Sequence, residues 1–230
     1  RQRQMCIRDS TGAGDLEIQK GIGAVGTDED DTTTGSGSTS DTTGSGETTG
    51  VTSSAATGVQ CVWPETGFGV KQGDFVKPGM AWQGFVEGST EVSDIVVEEL
   101  FDCDGSKGIN ALMFIQSATW CGNCQAEAQA IPNKMASSWT EKGIKVITLM
   151  IEDITGKAAT TATAQEWLDE FNLVDTIVAA DPQFSFAFAG TIGLPYILVV
   201  DPRTMEIVHV QEGYSGQHSE LENLANQNAL

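Results

Sequence analysis

The chain has 230 residues, a formal net charge of −20 and an apolar share of 40%. That length and apolar content allow one ordinary domain with a tail. The charge argues against nucleic acid or anionic lipid as an electrostatic partner, and no run of about 18 apolar residues marks a membrane-spanning helix.

Residues Arg1 to Ser10 stand apart, because three of the chain's twelve Lys and Arg fall within the first eight positions. The string resembles a translated sequencing adapter and is set aside from functional argument, together with Cys6. From Gly21 to Gly58 the composition narrows to Gly, Ser, Thr, acids and a few small apolar residues, with no Lys, Arg or aromatic residue. Such a segment buries too little apolar surface to offset chain entropy. Residues 1–58 are therefore expected to be a disordered linker, and 59–230 the folded domain. A linker of this kind implies a tether, with a lost lipoprotein signal as the expected anchor and a frayed tail as the alternative.

Residues 59–86 carry Trp63-Pro64, Gly67-Phe68-Gly69, Pro78-Gly79 and Trp82, a pattern of turns with aromatic anchors that predicts an irregular or β-hairpin extension. Residues 91–100 predict a short strand or helix. Ala111 to Ile115 is an apolar run that predicts a buried central strand. Gln125 to Thr140 predicts a helix, with Pro132 kinking it or starting a new segment and Gly143 ending it. Residues 144–151 predict the next buried strand. Thr161 to Phe171 predicts an amphipathic helix with Trp167, Leu168 and Phe171 on one face. Residues 176–180 predict a third strand. Residues 195–200 and 206–211 predict two strands joined by the turn Asp201-Pro202-Arg203-Thr204, and 219–230 a terminal helix. The crossovers make the early strands parallel and the final hairpin antiparallel. The expected fold class is α/β, a mixed sheet with helices on both faces.

The chemistry lies in Trp120-Cys121-Gly122-Asn123-Cys124. Thiol–disulfide exchange needs one thiolate that attacks and a second thiol near enough to resolve the mixed disulfide. A two-residue spacer at a helix start supplies both. Cys121 at the helix N-terminus is the expected nucleophile, because the helix dipole favours negative charge there. Cys124, one turn inside, is the expected resolving cysteine, and Trp120 is expected to shape the partner-facing surface.

On these residues, and on Gly193-Leu194-Pro195 opening a downstream strand, the sequence resembles the thioredoxin-like family. The resemblance is to exported, membrane-tethered bacterial thiol-disulfide oxidoreductases and covers residues 59–230. It implies a cis-proline at Pro195 facing the cysteines. It also implies that the backbone at Leu194 pairs with an incoming partner chain. Glu127, three residues after Cys124, matches the glutamate of the tethered members, where it handles the Cys124 proton; the alternative is an ordinary exposed helix glutamate. Cytoplasmic thioredoxins place an aspartate six residues before the first cysteine, a position held here by Ile115. Asn123 replaces the proline most familiar in the motif and leaves the redox direction open.

Cys61 and Cys103 are expected to form a structural disulfide in an oxidising compartment, with two buried thiols as the alternative. A zinc site is disfavoured, because only Cys61, Cys103, His209 and His218 remain and none forms a second close pair. No bound cofactor is expected, since the two sulfurs carry the electrons. The expected partners are protein thiols and disulfides together with an upstream redox donor, met by a monomer in the periplasm or another extracytoplasmic space. Two rival readings remain. A thiol peroxidase would carry a proline and a Thr or Ser ahead of one peroxidatic cysteine, whereas Thr119 is two residues before Cys121 and no proline lies between Lys107 and Cys121. A non-catalytic module would hold a static disulfide in the motif. His209 and His218 are expected on the surface or on strands. Phe184, Phe186 and Phe188 are expected to pack the core or to wall a groove beside Pro195.

Overall fold

A computed structural model describes residues 6–8, 61–186 and 192–229. The expected linker, Gly21 to Gly58, and Phe188 lie outside them. The first strand, β1 (Cys6–Arg8), is three residues long. Residues 61–80 are mostly irregular and hold to the body through aromatic anchors. The Trp63 indole N–H donates to the Val76 carbonyl at 3.1 Å, and its ring packs 5.1 Å from that of Phe101. Cys61 is bridged to Cys103 with Cα atoms 5.5 Å apart.

Next comes an antiparallel hairpin of β2 (Ala81–Phe85) and β3 (Ser93–Val96), in register Trp82↔Ile95. A single 3₁₀ turn, Val97–Leu100, follows, so residues 91–100 form a strand and a turn of helix in succession. The central strand β4 (Ala111–Ala118) is buried along its whole length, as an apolar run covered on both faces requires. Helix α1 (Gly122–Lys134) starts in the cysteine motif. Pro132 does not break it. The helix continues to Lys134 and then widens into a π-helical turn, Met135–Trp139, closed by Thr140 N–H on the Met135 carbonyl at 3.4 Å. Gly143 follows at φ +69°, and a side chain there would collide with the Gly108 carbonyl.

Strand β5 (Ile144–Glu152) runs parallel to β4. Helix α2 (Thr161–Phe171) opens on a capping box between Thr160 and Thr163 and ends on Asn172 in the left-handed region. Strand β6 (Ile177–Ala180) pairs parallel with β5 on one side and antiparallel with β2 on the other. The expected extension is therefore a hairpin that continues the main sheet. Strands β7 (Ile192–Leu194), β8 (Tyr196–Val200) and β9 (Ile207–Glu212) follow, and helix α3 (Ser219–Asn228) is the last described element.

The sheet order is β3-β2-β6-β5-β4-β8-β9. It is the mixed α/β sheet, with three helices, that the sequence predicts. Strand alternation puts Phe114 and Gln116 on one face of β4. There Phe114 meets Phe186 at 5.0 Å, and Trp82 lies 6.1 Å from both rings. Phe186 is thus a core residue, while Phe184 packs against the core from a left-handed backbone, φ 56°.

Candidate active site

The parallel strands β4, β5 and β6 end on the same side of the sheet, and the cysteine motif leaves the end of β4. Thr119 fixes this exit: its N–H and hydroxyl both donate to the Glu152 carbonyl, at 3.1 and 3.2 Å. Gln125 Nε2 then donates back to the Thr119 carbonyl at 2.9 Å. Trp120 is held by its indole N–H, which donates to Glu152 Oε2 at 2.7 Å.

Cys121 is the N-cap of α1, with extended backbone, and its sulfur accepts the Cys124 N–H at 3.3 Å. Sulfur at this point meets the positive end of the helix and one of its orphan N–H groups, an environment that favours a thiolate. Cys121 and Cys124 stand as thiols, buried at 0% and 1% exposure. Burial, together with the hydrogen bond and charge of Cys121, pushes the Cys124 thiol well above its ordinary range. The two sulfurs therefore differ: Cys121 caps the helix and accepts an N–H, while the proton is retained on Cys124.

Pro195 follows a cis Leu194–Pro195 bond. Leu194 is buried, and β7, which it ends, pairs antiparallel with β1 in register Cys6↔Leu194, Ile7↔Gly193 and Arg8↔Ile192. Ile115, at the place of the thioredoxin aspartate, is a buried core residue. Gln116 beside it donates to Asp181 Oδ2 at 3.2 Å.

Glu127 is buried on α1, and its Oε1 lies 2.7 Å from His218 Nε2. This corrects the expectation that His218 lies on the surface or on a strand: it is the residue before α3 and is buried against Trp139. His209 does lie on a strand, β9, and is half-buried. The residues that the sequence does not reveal are His218 and Glu152. Both act across long separations, and neither carries a local motif.

A mixed α/β sheet with a buried Cys-x-x-Cys at a helix start is the class of architecture defined here. No protein-family model and no curated protein matches the chain. Solved structures of several kinds resemble it. A thiol:disulfide interchange protein from Bacteroides sp. is 12% identical, covering 69% of this chain and 90% of its own, with a TM-score of 0.45. The reduced 2-Cys peroxiredoxin of Plasmodium vivax is 12% identical, covering 67% and 80%, with a TM-score of 0.48. Among the described residues no helix is long and apolar enough to cross a membrane.

Proposed function

We propose that the protein is a thiol-disulfide oxidoreductase whose Cys121–Cys124 pair exchanges electrons with protein partners. The observation that carries this reading is the asymmetry of the pair. Cys121 caps the helix and accepts the Cys124 N–H, while Cys124 lies inside the first turn with its proton held. Exchange needs that division of labour. In the reducing direction, the Cys121 thiolate attacks one sulfur of the partner disulfide and releases the other as a thiolate. Cys124 then attacks the Cys121 sulfur and frees the partner. Glu127 takes the Cys124 proton in that step. The oxidising direction is the reverse.

Partner docking is assigned to Trp120 and to the β7 edge at Leu194 and Pro195. The short strand β7, ending at the cis Leu194–Pro195 bond, offers the extended backbone that strand addition would use. Cys121 is buried in the free chain, so docking has to open its surroundings. The domain acts outside the cytoplasm as a monomer, with residues 1–58 as the linker to a membrane anchor and an upstream redox donor recycling the pair. The Cys61–Cys103 bridge fits that compartment. Peroxiredoxins share the sheet, so the residues decide between the readings: a second thiol one helical turn away serves exchange, and the stretch before Cys121 has no proline back to Lys107.

The test is a Cys124→Ser trap. It is expected to accumulate mixed disulfides through Cys121, and the unaltered protein is expected to reduce insulin disulfides. Peroxide consumption without insulin reduction would shift the reading to a thiol peroxidase. Absence of both would leave a module with a static pair.

A further inference from the structure

Helices α1 and α3 meet at a buried acid–base contact. Glu127 Oε1 lies 2.7 Å from His218 Nε2, with side chains 1% and 4% exposed. A carboxylate at that depth is costly unless it is hydrogen-bonded or paired. His218 supplies the partner for one oxygen. Glu127 Oε2 and His218 Nδ1 make no hydrogen bond within the described residues. One carboxylate oxygen is therefore committed and the other is available to a proton donor.

The imidazole is held in place by its surroundings. The Trp139 ring meets it edge-on, 5.0 Å between centroids at 81°, and the Trp139 N–H is committed to Glu222 Oε1 at 3.1 Å. The titratable and charged groups around the pair are Cys124 and Lys134 on α1, Lys142 beyond the π-helical turn, Tyr214 ahead of α3, and Glu222 on α3. Glu222 is held below the usual carboxylate range by the Trp139 donor, with Lys134, Lys142 and His218 adding to it against the effect of burial. The Tyr214 phenol is pushed up by burial and by the charge of Glu127. Cys124 and Glu127, three residues apart on α1, are neighbours across one helical turn.

We propose that His218 is a positioning residue for the resolving step: by hydrogen-bonding Oε1 through Nε2, it fixes Glu127 so that its second oxygen takes the Cys124 proton. The proposal rests on the reading of Glu127 as that proton acceptor. In the step, the Cys124 S–H bond breaks and its proton moves to Glu127 Oε2. The sulfur electron pair forms the Cys124–Cys121 bond. The bond between Cys121 and the partner sulfur breaks, and its electron pair leaves on the partner as a thiolate. Glu127 afterwards releases the proton to solvent.

The experiment uses the full chain with Cys121 loaded as a mixed disulfide with thionitrobenzoate. Release of the coloured thiol is followed against pH. His218→Phe is expected to slow release about tenfold near neutrality, a modest share of a general acid–base effect. It is also expected to move the pH profile to that of Glu127→Gln. His218→Gln, which keeps a donor toward Oε1, is expected to restore most of the rate. The double variant is expected to be no slower than Glu127→Gln alone, as a shared pathway requires. Should His218→Phe fail to fold, His218→Asn, too short to reach Oε1, gives the same contrast. A wild-type pH profile in the His218 variants beside an altered one in Glu127→Gln would overturn the role of His218 and leave that of Glu127 standing. A wild-type profile in Glu127→Gln would overturn both. Slower release with an unmoved profile and no rescue by Gln would reduce His218 to packing and overturn the proposal.

Discussion

The Trp120 indole is tied to strand β5 by its N–H, which donates to Glu152 Oε2 at 2.7 Å across 32 residues of sequence. Glu152 also receives Thr119 on its backbone carbonyl. One residue thus holds both the exit of the motif from β4 and the ring beside the nucleophile. Glu152→Ala is expected to cost about 1.5–3 kcal/mol, the scale of a hydrogen bond to a charged group. It is also expected to slow insulin reduction more than the reaction of Cys121 with a small alkylating reagent, since only the larger partner needs the ring in place. Urea unfolding and the two rate measurements check this. Equal slowing of both reactions would remove Trp120 from partner recognition.

The unequal sulfurs predict unequal alkylation. Burial and the neighbouring Cys121 hold the Cys124 thiol protonated well above its ordinary range. At pH 8 its thiolate fraction is therefore small, and it rises only as the pH climbs toward the raised value. Iodoacetamide is expected to mark Cys121 first. In Cys121→Ser, the remaining Cys124 is expected to react at least about tenfold more slowly than Cys121 does in Cys124→Ser. Peptide mass spectrometry reads the order, and preferential labelling of Cys124 would reverse the two roles.

What the sequence shows of this site is what lies within one stretch of chain. Trp120 to Cys124 is contiguous, and exchange chemistry demands that spacing. The apolar runs of β4, β5 and β8 declare burial without reference to any partner. The hairpin β2–β3 is different. Its place in the sheet depends on pairing such as Gln83↔Ala180, which no local pattern encodes. Glu127 reads equally well as a surface glutamate, because its burial is made tolerable by a histidine 91 residues away. His218 itself sits among Gly, Ser and Gln and carries no periodic signal. Pro132 shows the opposite failure. A strong local rule places a break there, yet α1 runs through to Lys134 and the irregularity falls just after it, in the π-helical turn.

A second buried pair predicts acid sensitivity. Asp102 is buried, and its carboxylate accepts the N–H groups of Lys107 and Ile109 at 3.0 and 2.8 Å. Arg203 Nη1 lies 3.1 Å from its Oδ2. Burial alone would raise this carboxyl, but the two N–H donors and the guanidinium outweigh it and hold the group below the usual range. A lowered folded value stabilises the fold above the unfolded value of about 3.9, and that contribution is lost as the pH falls through the folded value. Arg203→Met leaves the carboxylate without its cation and is expected to cost about 3 kcal/mol at pH 7. The difference from wild type is expected to shrink below about pH 4, as Asp102 in the variant takes up a proton. Urea titrations at the two pH values measure it; an equal loss at both would assign the effect to packing of the Arg203 side chain.

The neighbouring Cys61–Cys103 bridge closes a loop across 42 residues. It joins the irregular segment that precedes β2 to the loop that carries Asp102. Restricting the unfolded chain over a loop of that length is worth about 4 kcal/mol in the chain-entropy account. For a domain of this size, each 1 kcal/mol moves the melting temperature by about 2–4 °C. The Cys61→Ala/Cys103→Ala double variant is therefore expected to melt about 10 °C lower. The bridge lies outside the Cys121–Cys124 motif, so the surviving folded fraction is expected to keep its Cys124-dependent resolving rate. Calorimetry beside the thionitrobenzoate release assay separates these effects. A change in release rate at a temperature where the variant is fully folded would assign the bridge a part in the redox site.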